Sequence, residues 1–282
     1  MPVETVSFQE LPALKLTNSV KDEAVICFHG AHVVSWKPKD KEEQLYLSPL
    51  AQFSEGTAIR GGIPICFPQF AGFGSLPAHG FARNRTWNYL RTEEQGNSVS
   101  VFLVLEDDSA SRVSAWPYKF RTVLCVTLSE HLLSATLDIT NTGSEPFSFT
   151  CALHTYFQIR TINHTAIQGL TGHEYDDKVT QQSGLTETTK ELFFDHEIDR
   201  IYSNTLGTIT LQEDKHILKI RGINMPDTVI WNPWIERSKA ISDLPDDGYQ
   251  SMVCIESGMI KTPVILKQSE NWQGGQEISI LE

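Results

Sequence analysis

Leu133-Ser134-Ala135-Thr136-Leu137-Asp138-Ile139-Thr140 alternates apolar and polar residues without a break. Successive side chains on a β-strand point to opposite faces. The octet therefore puts Leu133, Ala135, Leu137 and Ile139 on one side and Ser134, Thr136, Asp138 and Thr140 on the other. This is the signature of a strand with one face on a core and the other toward water. Working outward, residues 121–128 form the strand before it, and Asn141-Thr142-Gly143-Ser144 turns the chain into a run at 147–159. Residues 24–28 and 32–36 flank His29-Gly30-Ala31 as a hairpin, and further strands are expected at 98–105, 208–211, 216–220, 228–231, 251–256 and 276–281. Only 235–242 suggests a short helix. Many short strands with Gly, Pro, Asn and Asp between them predict an all-β chain of antiparallel sheets, a sandwich or barrel.

The chain has 282 residues. At roughly 150 residues per domain that length suggests two, but β-sandwiches commonly run past 200 as one unit. No repeat or linker interrupts residues 1–282, so one domain is expected. With 23 Lys and Arg against 35 Asp and Glu, the formal charge is −12, and no block of five basic residues exists. Such a surface repels nucleic-acid phosphates, so no nucleic-acid partner is expected. No apolar run reaches 18 residues, which argues against a membrane helix. Residues 1–16 lack the basic start and apolar block of a secretion signal, so a cytoplasmic location is expected. Cys27, Cys66, Cys125, Cys151 and Cys254 form no CxxC pair and read as small core residues, not as a zinc site or disulfide frame. His29-x-x-His32 has no third ligand nearby, so no metal is expected.

Five places could carry chemistry. Arg60-Gly61-Gly62-Ile63-Pro64 puts one charge before a rigid apolar segment, which reads equally as a core loop with a surface Arg. His79-Gly80-Phe81-Ala82-Arg83-Asn84-Arg85 gathers a His and two Arg in an acidic chain. Guanidinium forks match phosphate or carboxylate oxygens, although surface pairing is the common alternative. In 147–155 the odd positions carry Phe147, Phe149, Cys151 and Leu153, so His154 falls on the opposite, Ser/Thr face. His154 could act as an acid or base near neutrality, or be an ordinary hydrogen-bonded strand residue. Met252, Cys254 and Glu256 share a face, and Glu256 is expected at the strand end before Ser257-Gly258, in apolar surroundings that raise a carboxyl pKa. Trp231 and Trp234 flank Asn232-Pro233 and could stack on a sugar or simply fill the core.

These blocks, Arg60-Gly61-Gly62-Ile63-Pro64, His79-Gly80-Phe81-Ala82-Arg83, His154-Thr155-Tyr156-Phe157, 227–234 and Cys254-Ile255-Glu256, occur in the order seen in the glucose-6-phosphate 1-epimerases (hexose-6-phosphate mutarotases) of the aldose 1-epimerase superfamily, which the chain resembles over nearly its whole length. The resemblance implies a galactose-mutarotase-like β-supersandwich and anomer interconversion of hexose 6-phosphates, with no cofactor and no metal. It implies His154 as general acid and Glu256 as general base, placed on opposite sides of the sugar. It further implies that Arg60 and Arg83 contact the sugar phosphate, and that Asp199 and a second histidine, His79, contact the substrate. Ala78 stands where some relatives have a substrate-contacting Gln, and Arg85 has no implied role. A monomer is expected. Two other readings stay open, a mutarotase of free aldoses and a non-catalytic sugar-phosphate binder. A glycoside hydrolase would need a second suitably spaced carboxylate.

Overall fold

The computed structural model describes residues 2–281. Three antiparallel sheets account for the strands among them. Val3–Phe8, Leu11–Thr17, Glu23–Cys27 and His32–Lys37 form a four-stranded meander. A nine-stranded sheet has Leu132–Asn141 near its middle, between Phe120–Ser129 and Asn271–Leu281. An eight-stranded sheet contains Glu174–Asp177, Ile198–Tyr202, Asp227–Asn232, Met252–Leu266, Phe147–Leu153 and Ile65–Cys66 in spatial order, with Tyr156–Gln158 also paired to Met252–Leu266. The expected helix is a six-residue one, Trp234–Lys239. No helix among the described residues is long and apolar enough to cross a membrane.

The octet behaves as its alternation dictates. Leu133, Ala135, Leu137 and Ile139 are buried, whereas Ser134, Thr136, Asp138 and Thr140 stay part-exposed. Fully burying each large apolar side chain contributes roughly 1.5–3 kcal/mol, and the main core joins these residues to side chains from all three sheets.

Two boundaries differ from the expected ones, and both bear on the site. The run at 147–159 is broken after Phe147–Leu153 and resumes at Tyr156–Gln158, leaving His154 and Thr155 between strands. Conversely, Met252–Leu266 does not stop at Ser257-Gly258 but continues for ten residues beyond Glu256. Gly258 marks a close approach and not an end: a Cβ there would lie 2.9 Å from the Cys151 carbonyl oxygen and 2.7 Å from the Ile260 side chain. His154 thus sits at a strand end, and Glu256 lies mid-strand.

The loop carrying His79 and Arg83 is anchored from below by aromatic rings. Phe67 packs edge-on against Phe81, Trp116, Phe120 and Phe149 at centroid distances of 5.5–6.3 Å. Each such pair contributes about 0.5–1.5 kcal/mol beyond its area. The Phe67 carbonyl accepts the N–H groups of Phe81 and Ala82, and Trp87 donates to the Ala82 carbonyl.

Candidate active site

Strand pairing brings His154 and Glu256 together. Leu153 is opposite Ser257, and the Thr155 carbonyl accepts the Ile255 N–H, so residues 102 apart become neighbours on one face of the sheet. His154 Nε2 lies 3.3 Å from Glu256 Oε1. The acid and base candidates are therefore in contact rather than on opposite sides of a sugar, because adjacent strands of one sheet carry them. The His154 ring stacks on Tyr156 at 4.9 Å and 12°, with Trp231 edge-on to both at 6.0 Å. As the alternation requires, Phe147, Phe149, Cys151 and Leu153 enter the main core while Ala152 joins a separate cluster on the other face.

The pair is almost dry: His154 is 8% and Glu256 1% exposed. Burial pushes the Glu256 carboxyl well above its usual range. The nearby Asp199 adds to that and Arg83 opposes it. Burial likewise pushes His154 well below 6.5, reinforced by His79, Arg83 and Arg60. Both directions favour one proton held on Glu256 and shared with a neutral His154. Glu256 Oε2 and His154 Nδ1 are buried without a protein partner among the described residues.

A cavity of about 580 Å³ opens beside the pair, with Arg60, His79, Arg83, His154, Asp199 and Trp231 in its wall. Arg60 donates to Tyr156 Oη at 2.9 Å and to Asp243 Oδ1 at 3.1 Å. Gly61 and Gly62, both at positive φ, let the Arg60 loop cross the chain closely: a Cβ on Gly62 would lie 2.2 Å from the Val33 carbonyl oxygen. His29 and His32 serve this loop too, meeting the carbonyls of Thr57 and Gly61 at 2.7 Å. Arg83 donates to the Ala78 carbonyl at 3.1 Å, and no carboxylate among the described residues lies within ion-pair distance of it. Arg85 turns away to pair with Asp108. His79 adopts φ +67°, and Nδ1 faces Cys66 Sγ at 3.0 Å. Of the two tryptophans, only Trp231 reaches the cavity; Trp234 packs on Tyr249. No group of three or more His, Cys, Asp or Glu among the described residues is placed to hold a metal ion.

Asp199 stands beside Trp231 on the neighbouring strand. Burial lifts its carboxyl to about 6, with Glu197 and Asp177 adding and Lys178 and Arg237 opposing. A carboxyl raised from 3.8 to about 6 favours the fold below about pH 3.8, and that contribution is lost as pH rises through about 6, up to roughly 3 kcal/mol. Asp199→Asn should therefore raise the Tm near neutral pH, with a gain that shrinks to roughly one third at about pH 4.5. Thermal melts at both pH values check this; equal gains at both, or none, would contradict it.

Sequence reasoning named six cavity residues but missed Lys178 and Arg237 in its wall, and Tyr156 and Asp243, which hold Arg60. Tyr156 was within reach, since it lies two residues from His154 and so on the same face. Asp243 and Lys178 arrive from distant loops and carry no local signal, and Arg237 lies on the short helix Trp234–Lys239, where a lone Arg reads as a surface charge.

A β-sheet protein with a buried imidazole–carboxylate pair facing a cavity lined by arginines is a candidate acid/base enzyme for a small anionic or hydroxylated ligand. Comparison makes the class specific. The sequence profile of the aldose 1-epimerase family matches residues 12–279, and the chain belongs to that family. It is 36% identical over 264 residues to a protein of Cenchrus ciliaris provisionally named a glucose-6-phosphate 1-epimerase, covering 89% of this chain and 79% of that protein. A relative from Escherichia coli with the same provisional name is 34% identical over 240 residues, covering 83% and 79%. Among solved structures, one from Salmonella typhimurium provisionally described as a mutarotase superposes with TM-score 0.90 at 28% identity, covering 99% and 94%. Galactose 1-epimerase from Lactobacillus acidophilus superposes with TM-score 0.75 at 15% identity, covering 99% and 98%, and places the fold in the galactose-mutarotase-like group.

Proposed function

We propose that the chain interconverts the α and β anomers of hexose 6-phosphates, glucose 6-phosphate first among them, by acid/base-catalysed ring opening and closure. The observation that carries this reading is the 3.3 Å contact of Glu256 with His154, which stands in the wall of a cavity that also holds Arg60 and Arg83. The provisional names of its relatives from Cenchrus ciliaris and Escherichia coli support it.

Ring opening removes the proton from the C1 hydroxyl and gives one to the ring oxygen. Those two oxygens sit on the same carbon, so an acid and a base in mutual contact can reach both. With one proton between them, Glu256 as carboxylate takes the hydroxyl proton while His154 as imidazolium delivers its own to the ring oxygen. The C1–O5 bond breaks and the aldehyde forms. The pair is then a protonated Glu256 and a neutral His154, the state that burial favours. Rotation about C1–C2 and the reverse transfers close the ring on the other face and restore the first state. Protons balance within the pair, so no cofactor or metal is required. Arg83 and Arg60 hold the phosphate, His79 and Asp199 contact sugar hydroxyls, and Trp231 supplies a flat wall.

Following relaxation of α-glucose 6-phosphate by NMR tests the activity directly; a rate equal to the uncatalysed one would sink the proposal. For specificity, Arg83→Ala should lower kcat/KM for glucose 6-phosphate about 10- to 100-fold, the usual contribution of a charge-assisted contact. Free glucose should be far less affected, and equal losses with both sugars would point to a free-aldose mutarotase. The same reading has residues 1–282 acting as one catalytic unit, a monomer in the cytoplasm. The five unpaired thiols accord with a reducing compartment.

A further inference from the structure

Cys66 has no part in the proton transfers above, yet it touches a cavity residue. Its Sγ lies 3.0 Å from His79 Nδ1, and the backbone N–H of Ala71 points at the same nitrogen from 3.3 Å. A backbone amide can only donate, so Nδ1 must offer its lone pair there. Burial holds the Cys66 thiol protonated, with Glu256 and Cys151 acting in the same direction and Arg83 opposing, so its S–H is available as a second donor. Burial, with the charges of Arg83 and Arg60, lowers His79 to about 3 and keeps its ring neutral. The ring is wedged edge-on between Phe70 at 5.2 Å and His154 at 5.4 Å. Its backbone is fixed in the left-handed region, next to a Gly80 whose Cβ would lie 2.3 Å from the Phe67 carbonyl oxygen.

We propose that Cys66 is a positioning residue that, together with the Ala71 N–H, locks His79 in the tautomer carrying its proton on Nε2. His79 then meets the sugar only as a hydrogen-bond donor. This rests on the proposed anomerase reading and deepens it. Nδ1 is occupied by two donors, so Nε2–H is the ring's one polar group left for the cavity. It can donate to a hydroxyl or ring oxygen but cannot take a proton from one, which leaves all proton transfer to His154 and Glu256. The nitrogen of a neutral imidazole that carries the proton is set by the bond the other one makes.

Full-length protein labelled with ¹⁵N-histidine tests this, with the His79 signals assigned by their absence in His79→Gln. The expected spectrum places the proton on Nε2 and a hydrogen-bonded, unprotonated nitrogen at Nδ1. Cys66→Ala should move the Nδ1 resonance toward that of a free imine nitrogen and lower turnover about three- to ten-fold, the usual effect of losing one neutral hydrogen bond. Cys66→Ser, which restores a donor, should bring both back toward wild type. A His79 protonated on Nδ1, or a Cys66→Ala protein with wild-type resonance and turnover, would overturn the proposal. If a Cys66 variant does not fold, the wild-type spectrum alone still decides the tautomer. That spectrum is recorded without substrate, so absence of anomerase activity would refute the functional reading while leaving the tautomer result to stand or fall by itself.

Discussion

Replacing Glu256 by Gln is expected to lower the catalysed rate of anomerisation about 10²–10⁴-fold, the usual contribution of a positioned acid or base. The fold should be undisturbed. Gln has the size and shape of a protonated carboxyl, and burial already holds Glu256 well above its usual pKa, so a neutral group replaces a neutral group. No buried charge is stranded, because the contact at 3.3 Å joins Glu256 to a neutral His154 in the favoured state. What the amide cannot do is take the C1 hydroxyl proton and return it to the aldehyde oxygen. Tm should stay equal to wild type or rise slightly, since function-bearing buried acids commonly cost stability. Polarimetric relaxation rates and a thermal melt on the same preparation check both parts. A variant with full activity would remove Glu256 from the mechanism, and an unfolded one would show its role to be structural.

His154→Gln should lose a similar 10²–10⁴-fold, and the pH profile of the wild type tells why. A carboxylate and imidazole of ordinary pKa would pass one proton between them only over a narrow interval, and the rate would fall as His154 lost its proton above about pH 6.5. Here burial moves the two groups in opposite directions, Glu256 up and His154 down. The pair keeps a single proton until pH falls below the lowered value or rises above the raised one. In wild type kcat/KM should therefore show no descending limb as pH rises through about 6.5, the ordinary imidazole value. Asp199, at about 6, and the substrate phosphate, whose second pKa is also about 6, shape only the acid side. A descending limb centred near pH 6.5 in wild type would mean that the pair titrates independently and that the shared-proton scheme is wrong.

How far the sequence reaches can be followed residue by residue. The alternation at 133–140 foretold both the strand and its buried face, because period-2 patterning is a local property that tertiary packing had no reason to override. The same parity put His154 opposite Phe147, Phe149 and Leu153, and Glu256 with Met252 and Cys254. Strand ends were less legible. Ser257-Gly258 looked like a stop but lies within Met252–Leu266, because the missing side chain there accommodates the Cys151 carbonyl and Ile260. The Arg60, His79, Arg83, Asp199, His154 and Glu256 set was visible as scattered motifs, and five of the six line one cavity, with Glu256 in contact with His154.

The sequence by itself determined a β-rich chain with a net charge of −12, the faces of its strands, and the residue types able to move a proton and hold an anion. The tertiary structure alone decided who stands next to whom. Pairing of Leu153 with Ser257 put His154 in contact with Glu256, and pairing of Asp199 with Trp231 set a second carboxyl nearby. Asp243 from a distant loop tied down Arg60, while Arg83 has no carboxylate within ion-pair distance among the described residues. The pKa values of the acid and base follow from that placement, because desolvation and neighbouring charge depend on what surrounds a group in space and not on what precedes it in the chain.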